Sequence, residues 1–106
     1  MVDLYVELII KGRKSIEDVP LSIVDEVILR LIGTEFVSNE FIAKRIVFGN
    51  LNYYDVKDAA PDIMENINSE IAKLIGYIGS AIYEAFISKY PELQEMIDEL
   101  LEGVNE

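Results

Sequence analysis

A chain of 106 residues with 51% apolar letters can build one modest core and no more. It has neither cysteine nor histidine, which excludes disulfides, thiolate metal sites, cysteine nucleophiles and the side chain most used for proton transfer near neutral pH. Twenty acids against nine bases give a net charge of -11, which repels phosphate backbones and anionic membrane surfaces and favours a protein partner with a basic surface.

The opening Met1-Val2-Asp3-Leu4-Tyr5-Val6-Glu7 has no basic leader and no small-residue cleavage site after an apolar run, which predicts a cytosolic product. Asp3 stands at a plausible N-cap, and Leu4, Tyr5, Leu8 and Ile9 recur at helical spacing until Gly12, a natural left-handed stop. The bases Lys11, Arg13 and Lys14 follow at the C-terminal end, where cations favour the helix dipole.

After a polar connection over 15–19, Pro20 suits the first turn of a second helix. Its apolar face comprises Ile23, Val24, Val27, Ile28, Leu31 and Ile32, and Gly33 ends it. Ser38 is a cap for a third helix running through Phe48, with Gly49 closing it. A β-hairpin competes here: Arg45-Ile46-Val47-Phe48 and Leu51-Asn52-Tyr53-Tyr54 both favour strands, and Gly49-Asn50 suits a two-residue turn. Glu40 to Arg45 also looks like the first helix of a helix-turn-helix, but Leu51 to Asp58 carries more acids than bases and makes a poor major-groove reader.

Pro61 opens the longest predicted helix, to about Lys89, with Ile63, Ile67, Ile71, Leu74, Ile78, Ile82, Ala85 and Phe86 along one side. Its most apolar stretch, Ile71 to Ile87, is interrupted by Lys73 and Glu84 and is shorter than the ~20 residues of a membrane span. Pro91 starts a last helix with Leu93, Met96, Ile97, Leu100, Leu101 and Val104 in period and Gly103 as a stop. The expectation is an all-α single domain over 1–106: a small four- or five-helix bundle, with a short hairpin near 45–54 as the competing local form.

Spacing decides what chemistry these elements carry. Asp55, Asp58, Asp62 and Glu65 share a face only if a helix runs through Ala60 and Pro61, which the restriction on pre-proline residues disfavours. There is no calcium loop, Gly-rich phosphate loop or nucleophile elbow, so no catalytic residue, metal or cofactor is expected. Ala72, Gly76 and Ser80, with Gly79 beside them, leave one side of the long helix without bulk. Each interior glycine costs a helix ~1 kcal/mol relative to alanine, so a packing role is expected. Either the first or second helix of the same chain fills the groove, or a second copy does in a homo-oligomer. A dimer also suits so short a chain with so much isoleucine and leucine.

Tyr53 and Tyr54 precede the long helix, and tyrosine is common both at interfaces and at the rim of a core. The last helix is the most informative feature: Glu92, Glu95, Asp98, Glu99, Glu102 and Glu106 follow Pro91 with no base. Asp98, Glu99 and Glu102 crowd the negative end of the dipole, where carboxylates are unfavourable. Glu95, Asp98, Glu99 and Glu102, with Tyr53 and Tyr54, form the candidate partner-binding surface; a solvated face is the alternative.

The segment Leu4-Tyr5-Val6-Glu7-Leu8-Ile9-Ile10-Lys11-Gly12-Arg13-Lys14-Ser15-Ile16-Glu17-Asp18-Val19-Pro20 resembles short proteins encoded by phages and prophages of Gram-positive bacteria. They share a tyrosine-bearing helix, a Gly-Arg-Lys turn and a Val-Pro start to the next helix, and often belong to the late tail gene cluster. The likeness ends near Ile32 and brings no catalytic residue. It implies a phage origin and two classes of non-enzymatic function. One is a host-directed inhibitor, such as an anti-CRISPR or other anti-defence protein, acting in the host cytoplasm through its acids. The other is a virion tail or assembly component that self-associates.

Overall fold

A computed structural model describes residues 1–104, so Glu106, the last of the C-terminal acids, lies outside the described residues. The apolar periods resolve into α1 (Val2–Ile10), α2 (Val24–Leu31), α3 (Asn39–Phe48), α4 (Tyr53–Ala59), α5 (Met64–Ile78), α6 (Ser80–Lys89) and α7 (Gln94–Val104). Three 3₁₀ turns stand at Ile16–Asp18, Pro61–Ile63 and Pro91–Leu93, and the described residues contain no strand. The all-α class holds, with seven α-helices in place of the four or five expected.

The first helix begins two residues earlier than Asp3 would cap it, with Met1 as N-cap. Asp3 therefore lies inside the first turn, and its carboxylate accepts from Arg30 Nη1 of α2 at 2.5 Å. Gly12 adopts φ +76° and turns the chain so that the Arg13 amide returns to the Leu8 carbonyl. Pro20 opens a turn only, closed by the Ile23 amide on the Pro20 carbonyl; Ile23 at φ −128° interrupts the helical dihedrals, and α2 starts at Val24.

Ser38 caps α3 as expected, its Oγ accepting from the Phe41 amide at 3.1 Å. The hairpin is overturned, because Arg45 to Phe48 stay helical and Asn52 caps a separate α4 by accepting from the Tyr54 and Asp55 amides. What competes successfully with strand propensity is burial: Ile46, Leu51, Tyr53 and Val56 all enter the core from helical or loop backbone. Gly49 serves close approach instead of a left-handed stop. Its φ is −116°, and a Cβ there would lie 2.6 Å from Cζ of Arg45. That guanidinium reaches across to Asp25 of α2 through Nε at 3.1 Å and Nη2 at 3.4 Å.

The single long helix expected from Pro61 to Lys89 is two helices. Gly79 adopts φ +118° with ψ −171°, a conformation closed to other L residues, and this ends α5 and starts α6. Gly79 is thus a chain break and not one of the small residues of a continuous helix face. Ala60 and Tyr90, each preceding a proline, leave the helical region at φ −148°, ψ 71° and φ −131°, ψ 67°, which separates α4 from α5 and α6 from α7.

α5 is the central element, packed by α3 on one side and α7 on another, while α1 packs on α2. Ile28, Ile42, Ile46, Leu51, Ile67, Ile71 and Ile97 are each less than 2% exposed and form the centre of the core. No polar side chain among the described residues is buried with them. No helix of the described residues is long and apolar enough to cross a membrane.

Candidate functional site: the acidic face of the last helix

The amphipathic period of α7 decides which way its acids point. Ile97 is fully buried, and Leu93, Met96 and Leu101 pack half-buried against the same core. At ~100° per residue, Glu92, Glu95, Glu99 and Glu102 then share the opposite side, and all four are exposed. With Pro91, Gln94 and Asp98 they line one shallow concavity. No lysine or arginine follows Lys89. Among the described residues, no ion pair involves an acid beyond Glu70. No three of the acids converge closely enough to hold a metal ion among the described residues, so they form a row and not a cage.

Two members of this face are held by tyrosines. Asp98 is half-buried and accepts from the Tyr83 hydroxyl of α6 at 2.5 Å, and Gln94 Nε2 donates to the same phenol oxygen at 3.3 Å. Glu92 accepts from the Tyr54 hydroxyl of α4. These bonds favour a neutral phenol beside a charged carboxylate. Bonding to Glu92 pushes the Tyr54 hydroxyl up to about 12, with desolvation and the Glu92 charge adding to it, and the same bond lowers Glu92 below the usual carboxylate range. Tyr83 is raised in the same way, first by its bond to Asp98. The donors supply no positive charge, so the face keeps all of its negative charge while two of its acids are fixed in position. Asp98 is accordingly engaged within the chain, and Glu95, Glu99 and Glu102 are the members left facing outward.

The two tyrosines proposed alongside the acids part company. Tyr53 is 3% exposed; its hydroxyl donates to Asn68 Oδ1 at 2.7 Å, and its amide donates to the Tyr90 hydroxyl at 3.1 Å. It is a core residue, and burial raises its phenol. Tyr54 is half-buried and borders the acidic face through Glu92. Tyr53, Tyr54, Tyr90 and Phe86 stack at centroid distances of 5.2 to 6.0 Å, which fastens the start of α4 to the end of α6 just where Pro91 leads into α7.

The small-residue stripe also meets a different neighbour from the one expected. Ala72 is buried, with Leu100 and Gly103 of α7 across from it, while Gly76 and Ser80 are exposed near Leu101 and Asp98. The last helix, and not the first or second, lies along the stripe. No spacing signal foretold the Tyr83–Asp98 and Tyr54–Glu92 pairs, whose members are 15 and 38 residues apart.

A scan against protein-family models, a search of curated proteins and a search of solved structures found nothing that matches this chain.

Proposed function

We propose that this chain is a non-catalytic interaction module that docks the acidic face of α7 on a basic surface of a protein partner. The observation that carries this reading is the exposed row Glu95, Glu99 and Glu102, which runs toward the negative end of a helix with no base after Lys89. The macrodipole disfavours Glu99 and Glu102, and mutual repulsion disfavours all three in the isolated chain, although Glu95 sits in the first turn where the dipole favours it. A cationic partner adds an attraction that offsets both terms.

The resemblance of the first third to phage and prophage proteins supports a particular partner: a host enzyme whose basic channel or regulatory surface handles nucleic acid. The chain would then act in the host cytoplasm as an inhibitor of the anti-CRISPR or other anti-defence kind. Its charge disfavours direct contact with nucleic acid. The alternative, a virion tail or assembly component, is supported by large apolar side chains left exposed, Tyr77 and Phe48 among them.

The test is affinity capture from host lysate with and without infection, followed by calorimetry on the captured partner. Replacing Glu95, Glu99 and Glu102 by lysine is expected to weaken association mainly through slower encounter, with the helical circular dichroism unchanged. Raised salt is expected to imitate the substitution, since exposed charges act over only ~8 Å at physiological ionic strength and less above it. Binding that survives the three reversals unaltered overturns the proposal. Co-purification with virions instead of a host protein moves the assignment to the assembly reading.

A further inference from the structure

Where the end of α3 meets the end of α5, apolar side chains face solvent. Phe48 at the end of α3 is 51% exposed, and Ile78 and Tyr77 at the end of α5 are 47% and 91% exposed. Half-buried Leu74 joins them in one concavity. Around it stand two ion pairs, Lys44 with Glu40 at 3.2 Å on α3 and Lys73 with Glu70 at 3.5 Å on α5. The lining thus holds two bases and two acids, which makes it electrically balanced in a chain of net charge -11.

We propose that this face is a two-fold contact between two copies of the chain. Charge selects the occupant. Two copies meeting through their acid-rich surfaces repel each other most strongly, whereas at this patch the local charges balance. A two-fold contact sets the same patch against itself, so it must be self-complementary. Two bases and two acids around an apolar centre meet that demand, because the lysines of one copy can pair with the glutamates of the other. A strongly basic or strongly acidic partner would leave one of the two sets facing like charge. An apolar centre of four side chains, Phe48, Leu74, Tyr77 and Ile78, is small for an interface, so the contact is expected to be weak and concentration-dependent. At ~100° per residue, Tyr77 lies about 80–140° around α5 from Ser69, Ala72 and Gly76, which face α7. The patch and the acidic face share no lining residue, so pairing leaves Glu95, Glu99 and Glu102 outside the contact.

Sedimentation of the full chain over a concentration series tests this. The mass is expected to rise from 12.0 kDa toward twice that value. Tyr77→Ser is expected to raise the dissociation constant roughly tenfold or more, as for a central aromatic anchor. Lys44→Glu with Lys73→Glu makes the patch wholly acidic, Glu40→Lys with Glu70→Lys makes it wholly basic, and each double variant alone is expected to remain monomeric. Mixed in equal amounts, the two are expected to form a one-to-one heterodimer by native mass spectrometry. These positions are at the surface, and circular dichroism verifies that each variant is folded. A wild-type chain that stays at 12.0 kDa at every concentration overturns the proposal, as does a dimer indifferent to Tyr77→Ser, or a mixture that fails to pair.

Discussion

The two ends of this chain handle charge in opposite ways. Seven of the nine bases lie within the first 60 residues, and two of them bridge elements: Arg30 to Asp3 joins α2 to α1, and Arg45 to Asp25 joins α3 to α2. Each bridge cancels the charge it uses. Beyond Lys89 the acids have no base, and those that are tied down are tied by Tyr54 and Tyr83. A phenol fixes a carboxylate without neutralising it. The N-terminal region puts part of its charge into tertiary contacts, while the C-terminal helix keeps its charge facing outward and depends on apolar packing to stay in place.

The comparison requires that α7 be held by its apolar seam, and Ile97 is the residue to remove. Ile97→Ala is expected to destabilise the fold by about 2–5 kcal/mol, as for other fully buried large-to-small changes, read by denaturant unfolding. A loss below ~1 kcal/mol, within the range of an ordinary surface change, breaks the comparison, because α7 would then be held by something else.

A smaller effect is expected where charge does bind elements together. The Asp25 and Arg45 side chains are 25% and 18% exposed, a pair between the surface and buried limits, so Asp25→Ala is expected to cost about 1–2 kcal/mol. Gly49→Ala drives the guanidinium from its place by the Cβ it adds and is expected to lose part of the same energy. A double-mutant cycle checks this: the two losses are expected to be strongly non-additive, and simple addition would show that Gly49 acts independently of the pair.

The smallest effect is a dependence on pH set in part by the Tyr54–Glu92 bond that ties α4 to the start of the C-terminal helix. Glu92 is lowered in the fold by the Tyr54 hydroxyl, so its contribution is present above the ordinary carboxylate range and is lost as pH falls through its folded value. Tyr54 is raised from 10.0 to about 12, so its contribution is complete below 10.0 and is lost as pH rises toward about 12. Tyr54→Phe is expected to flatten both arms of a plot of melting temperature against pH. The acid arm keeps the share of Asp18, lowered by its bonds to Ser15, and the alkaline arm keeps the shares of Tyr53 and Tyr83. Unaltered arms would remove the tyrosine from the account of how the acidic face is positioned.

Helix class, the Ser38 cap, the left-handed turn at Gly12 and the outward acids of the last helix were all legible in the sequence. Each depends on residues within a turn or two of one another: an apolar period, a hydroxyl three residues from an amide, a glycine where the helix must reverse. The break at Gly79 lay within the same reach and was still missed, because glycine permits both the helix and the turn, and only the packing of α6 against α5 chooses between them. The hairpin failed for a related reason. Strand and helix preferences over 45–54 are nearly balanced locally, and the burial of Leu51, Tyr53 and Val56 tips them. Tyr53 as a core residue, Asp98 as a partner of Tyr83, α7 along the small-residue stripe and the exposed patch at Tyr77 were decided by tertiary structure alone. All four depend on which helices meet, and that follows from the closest packing of the whole apolar set, a quantity that no local window of sequence contains.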